Sequence, residues 1–449
     1  MHLFLSRAAA TLVMAASAAL ATAADKPNIL IFLCDDTGWG EIGFQGNEQI
    51  STPNIDGIAK NGLRFTQGYV SGPYCSPTRA GLMTGRYQTR FGHEFNSTAR
   101  HAGLSLDETT IADRFRKLGY ATAAVGKWHL GSEPKYRPTQ RGFDMFYGTL
   151  ANTPFFHPTQ FVDSRTDKEP HRVEDADFYT TDAYAQRAVE WLAEQKDRPW
   201  LLYVPFNAQH APLQATRKYL DRFENIEKED RRKFAAMMSA MDDAVGAILQ
   251  QVRDLGEEEN TLIFFLSDNG GPTKSTTSGN GPLRGFKSTT WEGGVRVPFC
   301  VQWKGKLPAG DTYDHPVIQL DILPTALAAA GVEAREEWKL DGVDLLPYLS
   351  GEKDEPPHDT LYWRFGNQWA IRHGEWKLVA GNGGDTQGEL YNLSDDKEES
   401  KNLAAEEGEI VRELKSLWDE WNSEQAPPSA PKEKPNRAQR QRRRAAANG

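Results

Sequence analysis

The chain has 449 residues, enough for a large buried core and more than one domain. Its 39% hydrophobic and 25% charged residues are ordinary for a soluble globular protein. A formal charge of −10 argues against general nucleic-acid binding. It does not argue against an anionic substrate, because a few fixed cations in a cleft outweigh a diffuse negative surface.

Met1 to about Ala24 carries Arg7, an apolar run over Ala8–Ala21 and the small residues Ala21-Thr22-Ala23, the pattern of a cleaved secretory signal. Its basic region is thin, so an uncleaved anchor is the alternative reading, although the run is short for a membrane span and nothing later resembles one. The expected location is periplasmic or secreted. Cys34, Cys75 and Cys300 are an odd number and too few for a disulfide framework. Cys34 and Cys300 sit in apolar runs and read as inert core residues.

Asn28–Leu33 is a continuous apolar run, as expected of a strand buried on both faces. Ala121–Val125 is a weaker strand candidate; Trp200–Phe206 and Thr261–Leu266 are strong ones. Helical patterns over Thr109–Leu118, Thr181–Gln195 and Arg231–Leu255 lie between them. The alternation implies an α/β fold, a mainly parallel sheet with helices on both faces. In such sheets ligands bind beyond the carboxyl ends of the strands. The four candidate strands end in Cys34-Asp35-Asp36, Gly126-Lys127-Trp128-His129, Asn207-Ala208-Gln209-His210 and Ser267-Asp268-Asn269-Gly270. Any one of these could be a cap or a turn; four together deliver carboxylates, amides, a lysine and two histidines to one sheet edge. Asp35, Asp36, Asp268 and Asn269 form an oxygen-rich set that suits a hard divalent cation, calcium or alternatively magnesium, and the lack of an accompanying Cys/His cluster speaks against zinc.

Further on, Trp369–Val379 reads as a hairpin with His373-Gly374 at its turn. Ile410, Val411, Leu414, Leu417, Trp418 and Trp421 recur at helical spacing, so a last amphipathic helix is expected to pack on this small sheet. After Gln425, prolines and then Arg437, Arg440 and Arg442-Arg443-Arg444 mark a disordered basic tail. The expected division is a signal over 1–24, a catalytic domain over 25–350, a C-terminal subdomain over 351–425 and the tail over 426–449.

Cys75-Ser76-Pro77-Thr78-Arg79, followed by Ala80-Gly81-Leu82-Met83-Thr84-Gly85-Arg86, is the most specific stretch. Alone, Cys-x-Pro would be a buried cysteine at a helix start with proline in the first turn. The full pattern, Cys-x-Pro-(Ser/Thr)-Arg and then Leu-x-Thr-Gly, resembles the signature of the type I sulfatases, which share the alkaline-phosphatase-like fold. Lys287, in Arg284-Gly285-Phe286-Lys287 before Trp291-Glu292-Gly293-Gly294-Val295-Arg296-Val297-Pro298-Phe299, matches a second family signature. Asp341-Gly342-Val343-Asp344-Leu345-Leu346-Pro347 looks like the segment entering the smaller C-terminal part, and Glu389–Leu393 the strand that follows. The resemblance covers roughly Lys26 to Leu403.

The resemblance implies that a maturation enzyme oxidises Cys75 to formylglycine. The hydrated aldehyde attacks sulfur and is left as a sulfate ester that later collapses. Asp35, Asp36, Asp268 and Asn269 would ligate the metal, with residue 75 completing the shell. Arg79 would hold the ionised hydroxyl, Lys127 would bind sulfate, and His129 would take the proton from the second hydroxyl. His210 would protonate the leaving oxygen and Lys287 would carry its charge. The sequence as a whole is similar to secreted polysaccharide sulfatases and to the arylsulfatase and N-acetylgalactosamine-6-sulfatase group, and a sulfated carbohydrate is the expected substrate. Arg90, His93, Glu94, His157 and Trp291 are candidates for sugar contacts, each with a packing or surface role as the plain alternative. The rival readings are an arylsulfatase, a phosphonate ester hydrolase of the same superfamily, and a glycan-binding protein never oxidised at Cys75.

Overall fold

The apolar run near the start of the chain forms the strand Asn28–Cys34, with every residue buried. Leu30, Phe32 and Cys34 enter a core shared with Met237, Met238 and Met241 of the helix Glu229–Asp254 and with Tyr184 and Trp191 of the helix Thr180–Glu194. Ile29, Ile31 and Leu33 point the other way, into a core with Leu82 and Met83 of the helix Cys75–Thr84, Phe115 of Ile111–Lys117 and Leu323 of Ile322–Ala329. A strand with apolar neighbours above and below cannot alternate, which is why its sequence reads as unbroken hydrophobicity. The computed structural model describes residues 26–167, 169–195, 198–382 and 388–430; the expected signal and most of the basic tail lie outside them.

That strand is central to a nine-stranded sheet. Across the sheet the order is Asp311–Tyr313, Leu63–Phe65, Phe299–Gln302, Thr261–Ser267, Asn28–Cys34, Trp200–Pro205, Ala121–Lys127, Met145–Thr149 and Phe161–Asp163. The middle runs parallel from Thr261–Ser267 to Met145–Thr149. Phe299–Gln302 pairs antiparallel with both neighbours, and Phe161–Asp163 is antiparallel at its edge, so the sheet is mixed around a parallel centre. Ala121–Lys127 is poor in large side chains because its end is crowded: a Cβ on Gly126 would meet the Pro205 carbonyl oxygen at 2.0 Å.

The C-terminal part builds a four-stranded antiparallel sheet, Thr360–Phe365, Gln368–His373, Trp376–Ala380 and Glu389–Asn392. His373 still pairs with Trp376, so the turn lies one residue later than expected, at Gly374-Glu375 with φ +58° at Gly374. The last helix, Gly408–Ser423, buries Leu414, Trp418 and Trp421, with Trp418 4.6 Å from Trp369 between ring centroids. Tyr69, Trp291 and Ile318 from the large domain join this third core. Among the described residues no helix is long and apolar enough to cross a membrane.

Candidate active site

The strands Thr261–Ser267, Asn28–Cys34, Trp200–Pro205 and Ala121–Lys127 are consecutive and parallel, so all four carboxyl ends lie on one edge. The backbone ties them there. Asp268 N donates to Cys34 O (3.0 Å), Asp35 N to Ala208 O (2.8 Å) and Gln209 N to Asp35 O (2.7 Å). Asp36 N donates to Asp268 Oδ1 (3.2 Å). Asp35, Asp36, Lys127, Asp268 and Asn269 are all buried.

Cys75 opens the helix Cys75–Thr84 and points its Sγ into this cluster, 3.3 Å from Asp35 Oδ1. Lys287 Nζ lies 3.2 Å from the same sulfur and 2.5 Å from Asp36 Oδ1. Lys127 Nζ donates to Asp35 Oδ2. Arg79, one turn along the helix from Cys75, donates from Nε and Nη2 to Asp268 Oδ2 (3.0 and 2.8 Å) and from Nη1 to Lys127 O (2.8 Å). His210 Nε2 is 3.7 Å from Asp36 Oδ2, and its Nδ1 is 2.6 Å from Ala211 O. His129 is buried with its Nδ1 unpartnered.

Burial raises the Asp35 carboxyl, but Lys127, then His210, Arg79 and Lys287, outweigh it and hold the group well below the usual carboxylate range. Burial and then the Asp35 charge push Asp268 up to about 7, against the pull of Arg79. Burial, followed by Asp268 and Asp35, also drives the Cys75 thiol well above its usual range, which makes it a poor nucleophile as a thiol. Burial and then Lys127 and Arg79 keep His129 well below its usual value, hence neutral. Burial lowers His210 against the pull of Asp35 and Asp36. Burial would lower Lys287, yet Asp36 and its other anionic neighbours hold it well above its usual value.

These residues fit a cation. One ligand atom from each of Asp35, Asp36, Cys75 and Asp268 lies within 4.8 Å of all the others. Asn269 donates its Nδ2 to Asp36 Oδ1 (2.8 Å) and Gly270 O (3.0 Å), while its Oδ1 is buried without a partner. An orphaned buried acceptor beside three carboxylates is a donor set that fits a hard Lewis acid, and oxygen donors suit calcium or magnesium. A cation there would also remove the repulsion between Asp35 and Asp268.

The sugar-contact candidates are placed differently. Arg90 spends its guanidinium on Asp341 (2.6 Å) and Glu424 (3.1 Å), a clamp between the large and small parts. His93 is buried with Nε2 2.5 Å from Ser76 Oγ, so it braces the residue after Cys75. Glu94 is buried and pairs with Arg364 (2.9 Å). His157 Nδ1 faces Val173 O (3.2 Å), and Trp291 is buried beneath the Arg284 guanidinium, 3.7 Å from its ring centroid. The structure adds residues that no motif singled out. Tyr74 sits with its ring 4.9 Å from Lys287 Nζ, and Asn152 Nδ2 is 3.4 Å from His210 Nε2. The position of Tyr74 just before Cys75 was the available signal for the first; Asn152 carried none.

The chain matches the sulfatase family model over residues 27–332, and the model of the N-sulphoglucosamine sulphohydrolase C-terminal region over residues 286–424. It is similar to the N-acetylgalactosamine-6-sulfatase of Canis lupus familiaris, 33% identical over 392 residues that cover 81% of this chain and 73% of that one. Arylsulfatase G of Rattus norvegicus is 36% identical over 387 residues, covering 76% and 72%. Among solved structures, Ps i-CgsB in complex with k-i-k-neocarrahexaose superposes with a TM-score of 0.84 at 32% identity, covering 94% of this chain and 98% of that chain. The phosphonate monoester hydrolase of Agrobacterium radiobacter shares the fold, with a TM-score of 0.62 at 20% identity, covering 89% and 95%.

Proposed function

The chain belongs to the sulfatase family, and from that premise we propose that it is an exported hydrolase of sulfate esters on carbohydrates, matured to formylglycine at position 75. The observation that carries this reading is the meeting of Asp35, Asp36, Asp268 and the free Asn269 Oδ1 with Lys127 and Lys287 around the Cys75 side chain. The choice of a carbohydrate is supported by the N-acetylgalactosamine-6-sulfatase relatives and by the carbohydrate bound to Ps i-CgsB.

Asp35, Asp36, Asp268 and Asn269 would hold the metal, calcium on the present reading; with residue 75 matured, the pair supplies a nucleophilic oxygen and a counter-charge for sulfate. The chain's own residues do the rest. Lys127 and Lys287 bind sulfate oxygens, and Lys287, beside position 75, takes up charge as the ester bond breaks. Arg79 orients Asp268 and, through it, the ligand cluster. With Nδ1–H committed to Ala211 O, Nε2 is the nitrogen of His210 that gains and loses a proton, so the residue serves a leaving oxygen as general acid only in its imidazolium form, which burial opposes and Asp35 and Asp36 favour. His129, held neutral, can accept a proton from position 75.

Two measurements test the reading. Sulfate release is assayed on a panel of sulfated mono- and oligosaccharides, with aryl sulfates and phosphonate esters alongside. Mass spectrometry of the peptide containing position 75 reports its oxidation. Full activity with an intact thiol would overturn the mechanism. An intact thiol together with sugar binding but no turnover would assign the chain to glycan binding instead. Export is tested by the mature amino terminus, expected near Ala24-Asp25.

A further inference from the structure

Glu292 is an acid with no exposed surface, in a part of the chain with no direct role in the chemistry above. Its Oε1 accepts from Lys377 Nζ (2.8 Å). Its Oε2 accepts from Tyr69 OH (2.7 Å) and Arg296 Nη1 (3.2 Å). Its backbone N–H donates to Glu399 Oε2 (2.7 Å), and Glu399 Oε1 returns to Lys377 Nζ at 2.9 Å. Arg372 Nη1 closes the set by donating to Tyr69 OH (2.7 Å). Lys377 and Glu399 are fully buried as well. Lys377, Arg372 and Glu399 come from the C-terminal part; Tyr69, Glu292 and Arg296 come from the large domain. Removing one partner from such a set strands a buried charge, so the set holds its geometry strongly whatever its net worth to stability.

What that geometry fixes is the loop bearing Lys287. The residues after Glu292 are wedged between this loop and the metal-side strand end. Gly293 N donates to Arg284 O (2.7 Å), and Gly270 N to Gly294 O (3.1 Å). There is no slack: a Cβ on Gly294 would meet Thr289 O at 2.0 Å, and one on Gly270 would meet Gly293 O at 1.8 Å. Next to the wedge, Thr290 N donates to Asn382 Oδ1 (3.0 Å), a second tie to the small sheet. A shift of Glu292 is therefore passed to Arg284–Thr289 on one side and to Asn269-Gly270 on the other.

We propose that Glu292, Lys377 and Glu399 are positioning residues that fix the Lys287 ammonium against position 75, so that the C-terminal subdomain is a working part of the catalytic centre. The inference rests on the role given to Lys287 above. A double-mutant cycle tests it, with kcat on a sulfate ester as the readout and thermal unfolding as the check on folding. Lys377→Met and Glu292→Gln, each alone, are expected to lower kcat about tenfold or more, and Lys377→Arg to recover part of the loss. In a Lys287→Ala background the same changes are expected to cost less than about twofold, because the group they position is already gone. Equal losses in both backgrounds would overturn the proposal, as would full activity in the folded single variants. If Lys377→Met does not fold, Glu292→Gln carries the cycle, and failure of both to fold assigns the network to stability alone. A wild-type protein inactive on every ester would sink the functional reading and this inference with it; an active wild type with additive losses sinks the inference only.

Discussion

Asp36 and His129 both adopt left-handed backbone, with φ of +68° and +59°. Such conformations cost non-glycine residues of order 1–3 kcal/mol each and persist only where surrounding contacts impose them. At Asp36 those contacts are the hydrogen bond to Asp268 and the Lys287 ammonium, so strain and charge are held by the same few groups. On the proposed metal site Asp35→Ala and Asp268→Ala each delete a charged ligand, and both are expected to lose the divalent cation and turnover together; the metal content of the purified variants is the check, independent of any assay. His210→Ala is expected to separate substrates. A sugar alcohol needs a proton to leave, whereas an acidic phenol does not, so turnover of a sugar sulfate should fall by about 10²–10⁴-fold and that of an activated aryl sulfate far less. Equal losses on both would move the general acid elsewhere.

At the scale of elements, legibility followed burial geometry. Asn28–Cys34 and Thr261–Ser267 are apolar throughout because both faces are covered, and their acid-bearing ends were readable for that reason. Leu63–Phe65 and the pair Gly68–Tyr69 with Val317–Ile318 are two or three residues long, too short to carry a period. Thr360–Phe365 did carry one: Leu361, Trp363 and Phe365 are buried while Thr360, Tyr362 and Arg364 are half-buried, the alternation of a strand covered on one face. The roles of Arg90 and Glu292 were opaque because their partners, Asp341 and Lys377, are remote in sequence; Arg90, a charge beside a signature, reads as a ligand contact, and Glu292 reads only as part of a motif. Trp363 is fully buried against Tyr69 and donates to Val70 O, so Trp363→Ala is expected to cost about 3–5 kcal/mol in urea unfolding. His358 contributes a pH dependence. Burial would lower it, but Asp321, 2.8 Å away, raises it above its ordinary 6.5. Its stabilisation is therefore complete below pH 6.5 and lost as pH rises through the raised folded value. Melting temperature against pH should show this fall in the wild type and not in His358→Gln.

For the molecule as a whole, the two parts share one core, where Tyr69 and Trp291 pack with Trp363, Trp369 and Trp418. Deleting residues 351–449 would uncover that core and leave Glu292 without Lys377; insoluble protein is the expected result, and soluble, active protein would contradict it. The sealing of Cys75 has a consequence for time rather than for space. Its side chain has no exposed surface in the folded chain; a site at the sheet edge that admits a sulfate ester still does not admit the active site of a second enzyme. On the proposed chemistry, oxidation of this residue belongs to the interval between synthesis and folding, and it competes with folding for the same chain. Burial, then Asp268 and Asp35, also hold the thiol well above its usual range, so an alkylating reagent should modify position 75 of unmatured protein far faster after denaturation than before. A host that folds the chain faster than it oxidises it will accumulate molecules of native shape that never turn over, and no later treatment of the folded protein will rescue them.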